Sequence, residues 1–138
     1  MPGTRPARGL LDTSVVIALD AVSGDQLPME QAISTVTMAE LATGPHATDD
    51  PIERARRQEW LQRVEEMMEP LPLDVVAARA YGRIYAAVRS RGRRTRGRSL
   101  DLLIAATALA NDLPLYTGNP GDLAGADDLI EIHPVDVG

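Results

Sequence analysis

The sequence predicts an α/β fold built on a short, mainly parallel sheet of four to five strands. Three observations carry that expectation. Short apolar runs alternate with helix-period stretches along all 138 residues. Turn and breaker residues punctuate them at Ser23–Pro28, Gly44-Pro45 and Gly118–Asp122. The chain is 44% hydrophobic and 25% charged, which is globular composition at the length of one domain.

Met1 to Arg8 reads as a loose tail, leaving residues 9–138 as one domain. Gly9-Leu10-Leu11 is a short buried strand ending at Asp12, and Asp12-Thr13-Ser14 opens a helix, because these side chains satisfy orphan N–H groups. Ala32 to Val36 is a second strand, and Thr37-Met38-Ala39-Glu40 opens a helix that fails near Gly44-Pro45. Asp50-Pro51 starts the next helix, with Ala55, Trp60, Leu61, Val64, Met67 and Met68 on one face. These side chains read as core, with a groove for a partner helix as the alternative. Pro70 to Leu73 is extended and fits a sheet edge. Val75 to Val88 is helical, with a stripe of Ala78, Tyr81, Ile84, Tyr85 and Val88. Arg89 to Arg98 breaks the pattern as a loop. Ser99 caps a helix over Leu100–Asn111 that is apolar nearly all round and therefore buried on more than one side. Leu113–Thr117 and Leu129–Ile132 are the last strands, with Pro134 ending the second.

Composition removes several chemistries. There is no Cys, which excludes disulfides, zinc-thiolate sites and thiol nucleophiles. All fourteen basic residues are Arg, so a P-loop lysine and a Schiff-base lysine are absent. Trp60, Tyr81, Tyr85 and Tyr116 are the only aromatics, too few for a base-stacking sheet. The net charge of −6 argues against nucleic acid in bulk, but the charge is unevenly placed. Arg89, Arg91, Arg93, Arg94, Arg96 and Arg98 fall in one run without an acid, and no Arg follows Ser99. Such a run is either a solvated surface or a phosphate-holding loop at the mouth of a site. No apolar run reaches the length of a membrane span, and the first eight residues lack a signal-peptide core, so a soluble cytoplasmic protein is expected.

In parallel α/β sheets the working residues collect at the carboxyl ends of strands. Asp12 ends the first strand; Glu40 lies in the first turn after the second; Asp101 lies in the first turn of the apolar helix; Asp122 follows the fourth strand, three residues after Asn119. Crowded carboxylates repel one another, and a hard divalent cation relieves this through oxygen ligands. His46 and His133 alone cannot make a zinc or copper site. The expected cofactor is Mg²⁺, with Mn²⁺ as a substitute, activating water against a phosphodiester. Each acid also has a structural reading: Asp12 as an N-cap, Glu40 with Thr37 as a capping box, Asp101 as a helix-dipole partner, Asp122 as a turn residue. The functional reading rests on the set.

Four segments carry a resemblance to a known family: Leu10-Leu11-Asp12-Thr13-Ser14, Thr37-Met38-Ala39-Glu40-Leu41, Ser99 to Ala108, and Leu115 to Leu123. In this order and spacing the chain resembles the PIN-domain family, in particular its VapC-like toxins of toxin–antitoxin pairs, over about residues 9 to 135. The resemblance implies a three-layer α/β/α fold and a Mg²⁺- or Mn²⁺-dependent endoribonuclease. It implies Asp12 and Asp101 as principal metal ligands joined by Glu40, with Ser14, or less favourably Thr13, supporting the first. It also implies a homodimer, a cognate antitoxin lying across helices near the site, and a transfer or ribosomal RNA substrate. Asn119 stands where the family often has a fourth acid, with Asp122 three residues later, so both are carried as candidates. The alternatives are a catalytically silent interaction protein and a metal-dependent DNA nuclease. A receiver domain would need a Lys, and a phosphatase of the two-aspartate type would need an acid where Ser14 stands.

Overall fold

A computed structural model describes residues 7–138. In chain order the elements are β1 (Arg8–Leu11), α1 (Thr13–Ile17), β2 (Glu30–Ser34), α2 (Thr35–Thr43), α3 (Pro51–Met67), β3 (Glu69–Leu71), α4 (Val75–Ser90), α5 (Ser99–Ala110), β4 (Leu115–Thr117) and β5 (Ile132–Pro134). The expected tail falls largely outside the described residues, and β1 already begins at Arg8, whose guanidinium pairs with Glu69 at 2.7 Å.

The five strands form one parallel sheet in the order β3-β2-β1-β4-β5. Leu10 pairs with Ala32 and Leu115, and Leu11 with Ile33 and Tyr116. Successive side chains leave opposite faces of a strand. Leu10, Ala32 and Leu115 accordingly enter a core with Ile84 and Val88 of α4 and Ile104 of α5. Leu11, Ile33 and Tyr116 enter a second core with Val15, Val16, Leu61 and Val64 of α1 and α3. The architecture is therefore the expected three-layer α/β/α. A central strand buried on both faces reads as a continuous apolar run, which is why Leu10-Leu11 shows no polar alternation. Gly9 lets Tyr116 lie flat against β1: a Cβ there would run into the Tyr116 ring.

Several boundaries move. β2 ends at Ser34, not Val36, because the Ser34 side chain accepts from the Thr37 amide and caps α2. α4 runs on through Arg89 to Ser90. Its buried stripe is Ala77, Ala80, Ile84 and Val88, rotated from the expected one, with Ala78 and Tyr85 outside. On α3 only Leu61 and Val64 are buried, followed by Met68, while Ala55 and Met67 face solvent. The last strand starts at Ile132, since the Leu129 and Ile130 amides both turn back to the Ala126 carbonyl. Pro134 closes this strand from within, which an edge position permits, as it does for Pro70 in β3.

Candidate active site

The carboxyl ends of β1, β2 and β4 share one edge, and α5, which runs back to feed β4, begins at that edge. Asp12 follows β1 directly. Its Oδ1 accepts the Val15 amide at 3.2 Å as the N-cap of α1 and the Ser14 hydroxyl at 2.6 Å. Ser14 Oγ in turn accepts the Gly118 amide at 3.1 Å, tying the end of β4 to the start of α1. Asp12 is thus an N-cap, but both bonds fall on one oxygen. Oδ2 takes no hydrogen bond among the described residues.

Glu40 does not form the capping box that Thr37-x-x-Glu40 suggests. The cap of α2 is Ser34, and Glu40 Oε1 instead accepts the Thr13 hydroxyl at 2.6 Å. Thr13 therefore serves the second acid, whereas Ser14 serves the first. Helix α5 begins at Ser99 rather than being capped by it, and its N-cap residue is Arg98.

Asp101 lies in the first turn of α5, beside the buried Leu102. Solvent still reaches it, but partial desolvation, the largest cause, raises its pKa above the usual carboxylate value. The charges of Asp12, Glu40 and Asp122 raise it further, and Arg98 works against them. Three acids from other parts of the chain thus act on Asp101 at one sheet edge. Glu40 and Asp101 also line an open recess of about 400 Å³ with Gly97, Arg98, Ser99 and Leu100.

The donor set is oxygen throughout, its negative charge only partly offset by Arg98, and that fits a hard divalent cation. Among the described residues, no three acidic or histidine side chains are close enough to ligate one ion as they stand. The fit is to an ion that keeps several waters and takes one or two carboxylates, the habit of Mg²⁺.

Asp122 lies in the 3-10 turn Pro120–Leu123, and its Oδ2 is 2.8 Å from Arg98 Nη1. Asn119 precedes that turn, its backbone N–H donating to Thr117 Oγ1 at 3.0 Å, and among the described residues no hydrogen bond joins its side chain to the acids. The arginine run divides. Arg89 is on α4, Arg91 pairs with Asp128 at 3.3 Å, and Arg98 pairs with Asp122. Arg93, Arg94 and Arg96 are exposed between α4 and α5. Two partners escaped the sequence reading: Thr37, whose hydroxyl lies 3.1 Å from Thr13 Oγ1, and Ser34 behind it at 3.3 Å. The β-branched run Thr35-Val36-Thr37 masked them by reading as strand and helix start.

Comparison with known proteins finds chains of similar sequence and fold. The PIN domain model matches residues 9–124. Ribonuclease VapC5 of Mycobacterium tuberculosis is 40% identical over 139 residues, covering 97% of this chain and 98% of that protein. Ribonuclease VapC8 of the same species is 35% identical over 101 residues, covering 72% of this chain and 89% of that one. A crystal structure of VapBC-5 from Mycobacterium tuberculosis, a member of the VapBC family of toxin–antitoxin systems, superposes with a TM-score of 0.78 at 38% identity, covering 94% of this chain and 100% of that one. VapBC2 from Rickettsia felis shares the fold with a TM-score of 0.74 at 18% identity, covering 94% and 99%.

Proposed function

Because the chain belongs to the PIN-domain family, on its VapC branch, we propose that it is a Mg²⁺-dependent endoribonuclease toxin held in check by a cognate antitoxin. The observation that carries the reading is the gathering of acids where the strands end: Glu40 and Asp101 line one recess, and burial first, then the charges of Asp12, Glu40 and Asp122, raise the pKa of Asp101. Asp12 and Asp101 are the principal ligands, and Glu40 joins them through the ion's waters, since no three acids among the described residues stand close enough to ligate one ion together; Mn²⁺ is able to substitute. A cation bound there supplies activated water and neutralises charge developing on a phosphodiester.

The chain's own residues do the rest. Ser14 fixes Asp12 and couples it to the end of β4. Asp122 is held by Arg98 and adds negative charge without direct ligation. Arg93, Arg94 and Arg96, unlike Arg91 and Arg98, are open to RNA phosphates. A groove of about 590 Å³ runs from Glu40 past Ile17, Leu41, Arg57 and Trp60. Ile17 is 66% exposed there, which suits an antitoxin segment with apolar anchors. No helix among the described residues is long and apolar enough to cross a membrane.

The test is cleavage of 5′-labelled single-stranded RNA by purified protein with Mg²⁺, with EDTA, and with the Asp101→Ala variant. Cleavage in the first case alone supports the reading. Cutting of DNA in preference to RNA, or cleavage that survives Asp101→Ala, refutes it.

A further inference from the structure

Behind Glu40 lies a row of hydroxyls that nothing in the proposed chemistry requires. Thr13 Oγ1 donates to Glu40 Oε1 at 2.6 Å. A hydroxyl has one proton to give, so the 3.1 Å contact between Thr13 and Thr37 must run from Thr37 to Thr13. Ser34 Oγ donates to Thr37 Oγ1 at 3.3 Å and itself accepts the Thr37 amide at 3.0 Å. Every proton in the row therefore points the same way, from the cap of α2 through Ser34, Thr37 and Thr13 to the carboxylate. Ser34 and Thr37 are fully buried, and Thr13 is half-buried. Aligned hydrogen bonds polarise one another where water is excluded.

We infer that Ser34, Thr37 and Thr13 are positioning residues: a one-way hydrogen-bond chain that fixes Glu40 in one rotamer and lowers the cost of presenting it to a cation. The inference rests on the metal-site reading above and deepens it. It separates two hydroxyls that are neighbours in sequence. Ser14 serves Asp12, while Thr13 carries the buried row from the second strand to Glu40. A packing role would need the hydroxyls only to satisfy one another, and it would not need the order to end on a charge.

Thr37→Val removes the link at constant shape. The cap of α2 survives, because Ser34 accepts from the Thr37 backbone and not from its side chain. The experiment is binding of Mn²⁺ alone, read from the paramagnetic resonance signal of the free ion, with thermal melting as the check on folding. Outer partners of metal ligands are typically worth about 10–100-fold in affinity. Thr37→Val and Thr13→Val are expected to weaken Mn²⁺ binding about tenfold, within that range, while Thr37→Ser stays close to the parent protein. Glu40→Gln weakens it at least as much, and adding Thr37→Val to Glu40→Gln costs nothing more, since coupled residues are not additive.

Unchanged Mn²⁺ affinity in Thr37→Val or Thr13→Val, with Glu40→Gln still weakened, overturns the chain and leaves the metal site standing. Unchanged affinity in Glu40→Gln overturns the chain and takes Glu40 out of the metal site, whereas unchanged affinity in Asp101→Asn overturns the metal-site reading itself. Should Thr37→Val fail to fold, Thr13→Val interrupts the same row one step nearer the carboxylate.

Discussion

Arg98 Nη1 lies 2.8 Å from Asp122 Oδ2, so one arginine of the cationic run is built into the acidic edge that the run introduces. The same guanidinium lowers the pKa of Asp101 against burial and three carboxylates that raise it. It is the counter-charge of the site when no cation is present. Removing it is expected to move two affinities in opposite directions. Arg98→Ala should tighten Mn²⁺ binding by about two- to threefold, a modest gain because the pair is partly exposed and screened. The same change should weaken RNA binding, through the lost positive field at the site and not through a phosphate contact, since Asp122 holds the guanidinium. Titrating Mn²⁺ and RNA separately against the variant checks both, and weaker Mn²⁺ binding would show that Arg98 shapes the ligands instead of opposing the ion.

The shift at Asp101 also predicts a stability effect with a definite sign. Its pKa in the folded protein lies above the unfolded value of 3.8. As pH rises through the interval between those values, the folded protein retains a proton that the unfolded chain has lost, so stability falls. Above the interval the full cost of the ionised carboxylate is present. Asp101→Asn should therefore raise the melting temperature of the metal-free protein at pH 7, by about 1–3 °C since solvent screens the group. The gain should shrink as pH is lowered toward 3.8. Mg²⁺ should raise the melting temperature of the parent protein and not that of the variant. Calorimetric scans in EDTA and in Mg²⁺ across a pH series measure each part.

Asp12 calls for a more conservative substitution, because it also caps α1. An alanine there would lose the cap, about 0.5–2 kcal/mol, along with any ligand. Asp12→Asn keeps a capping oxygen and removes the charge. It is expected to lower Mg²⁺-dependent RNA cleavage by about a hundredfold or more, beyond the usual span for outer partners, with melting nearly unchanged. Substantial cleavage by this variant would reduce Asp12 to its cap.

Much of the fold and the acid set was legible because both rest on local signals. Leu10-Leu11 before Asp12 states a central strand and its end, and Ser99 to Ala108 states a buried helix with one acid at its head. What was not legible depends on pairing across distance. Arg98 and Asp122 meet only when α5 and the turn after β4 come together. Thr37 matched a capping box in sequence, and only the close approach of α1 and α2 shows its hydroxyl directed to Thr13. The end strand was misplaced for a related reason. Leu129 and Ile130 have strand-like side chains, but their amides are taken by Ala126, and no propensity reports that.

The division of the arginine run yields a last prediction. Arg91 and Arg98 are held in ion pairs, and Arg89 belongs to α4. Among the described residues, only Arg93, Arg94 and Arg96 of the connection to α5 are both exposed and outside an ion pair. If these three bind phosphates, their joint replacement by alanine should weaken RNA binding and flatten its salt dependence. Each single-strand phosphate contact contributes about 0.7 to the slope of log affinity against log salt, so the slope should fall by about two. Arg91→Ala, which loses only an exposed pair with Asp128, should leave the slope nearly unchanged and shift stability by no more than about 1 kcal/mol. Binding isotherms at several salt concentrations distinguish the two variants. An unchanged slope in the triple variant would return the run to a solvated surface and leave phosphate binding to the groups around Asp101.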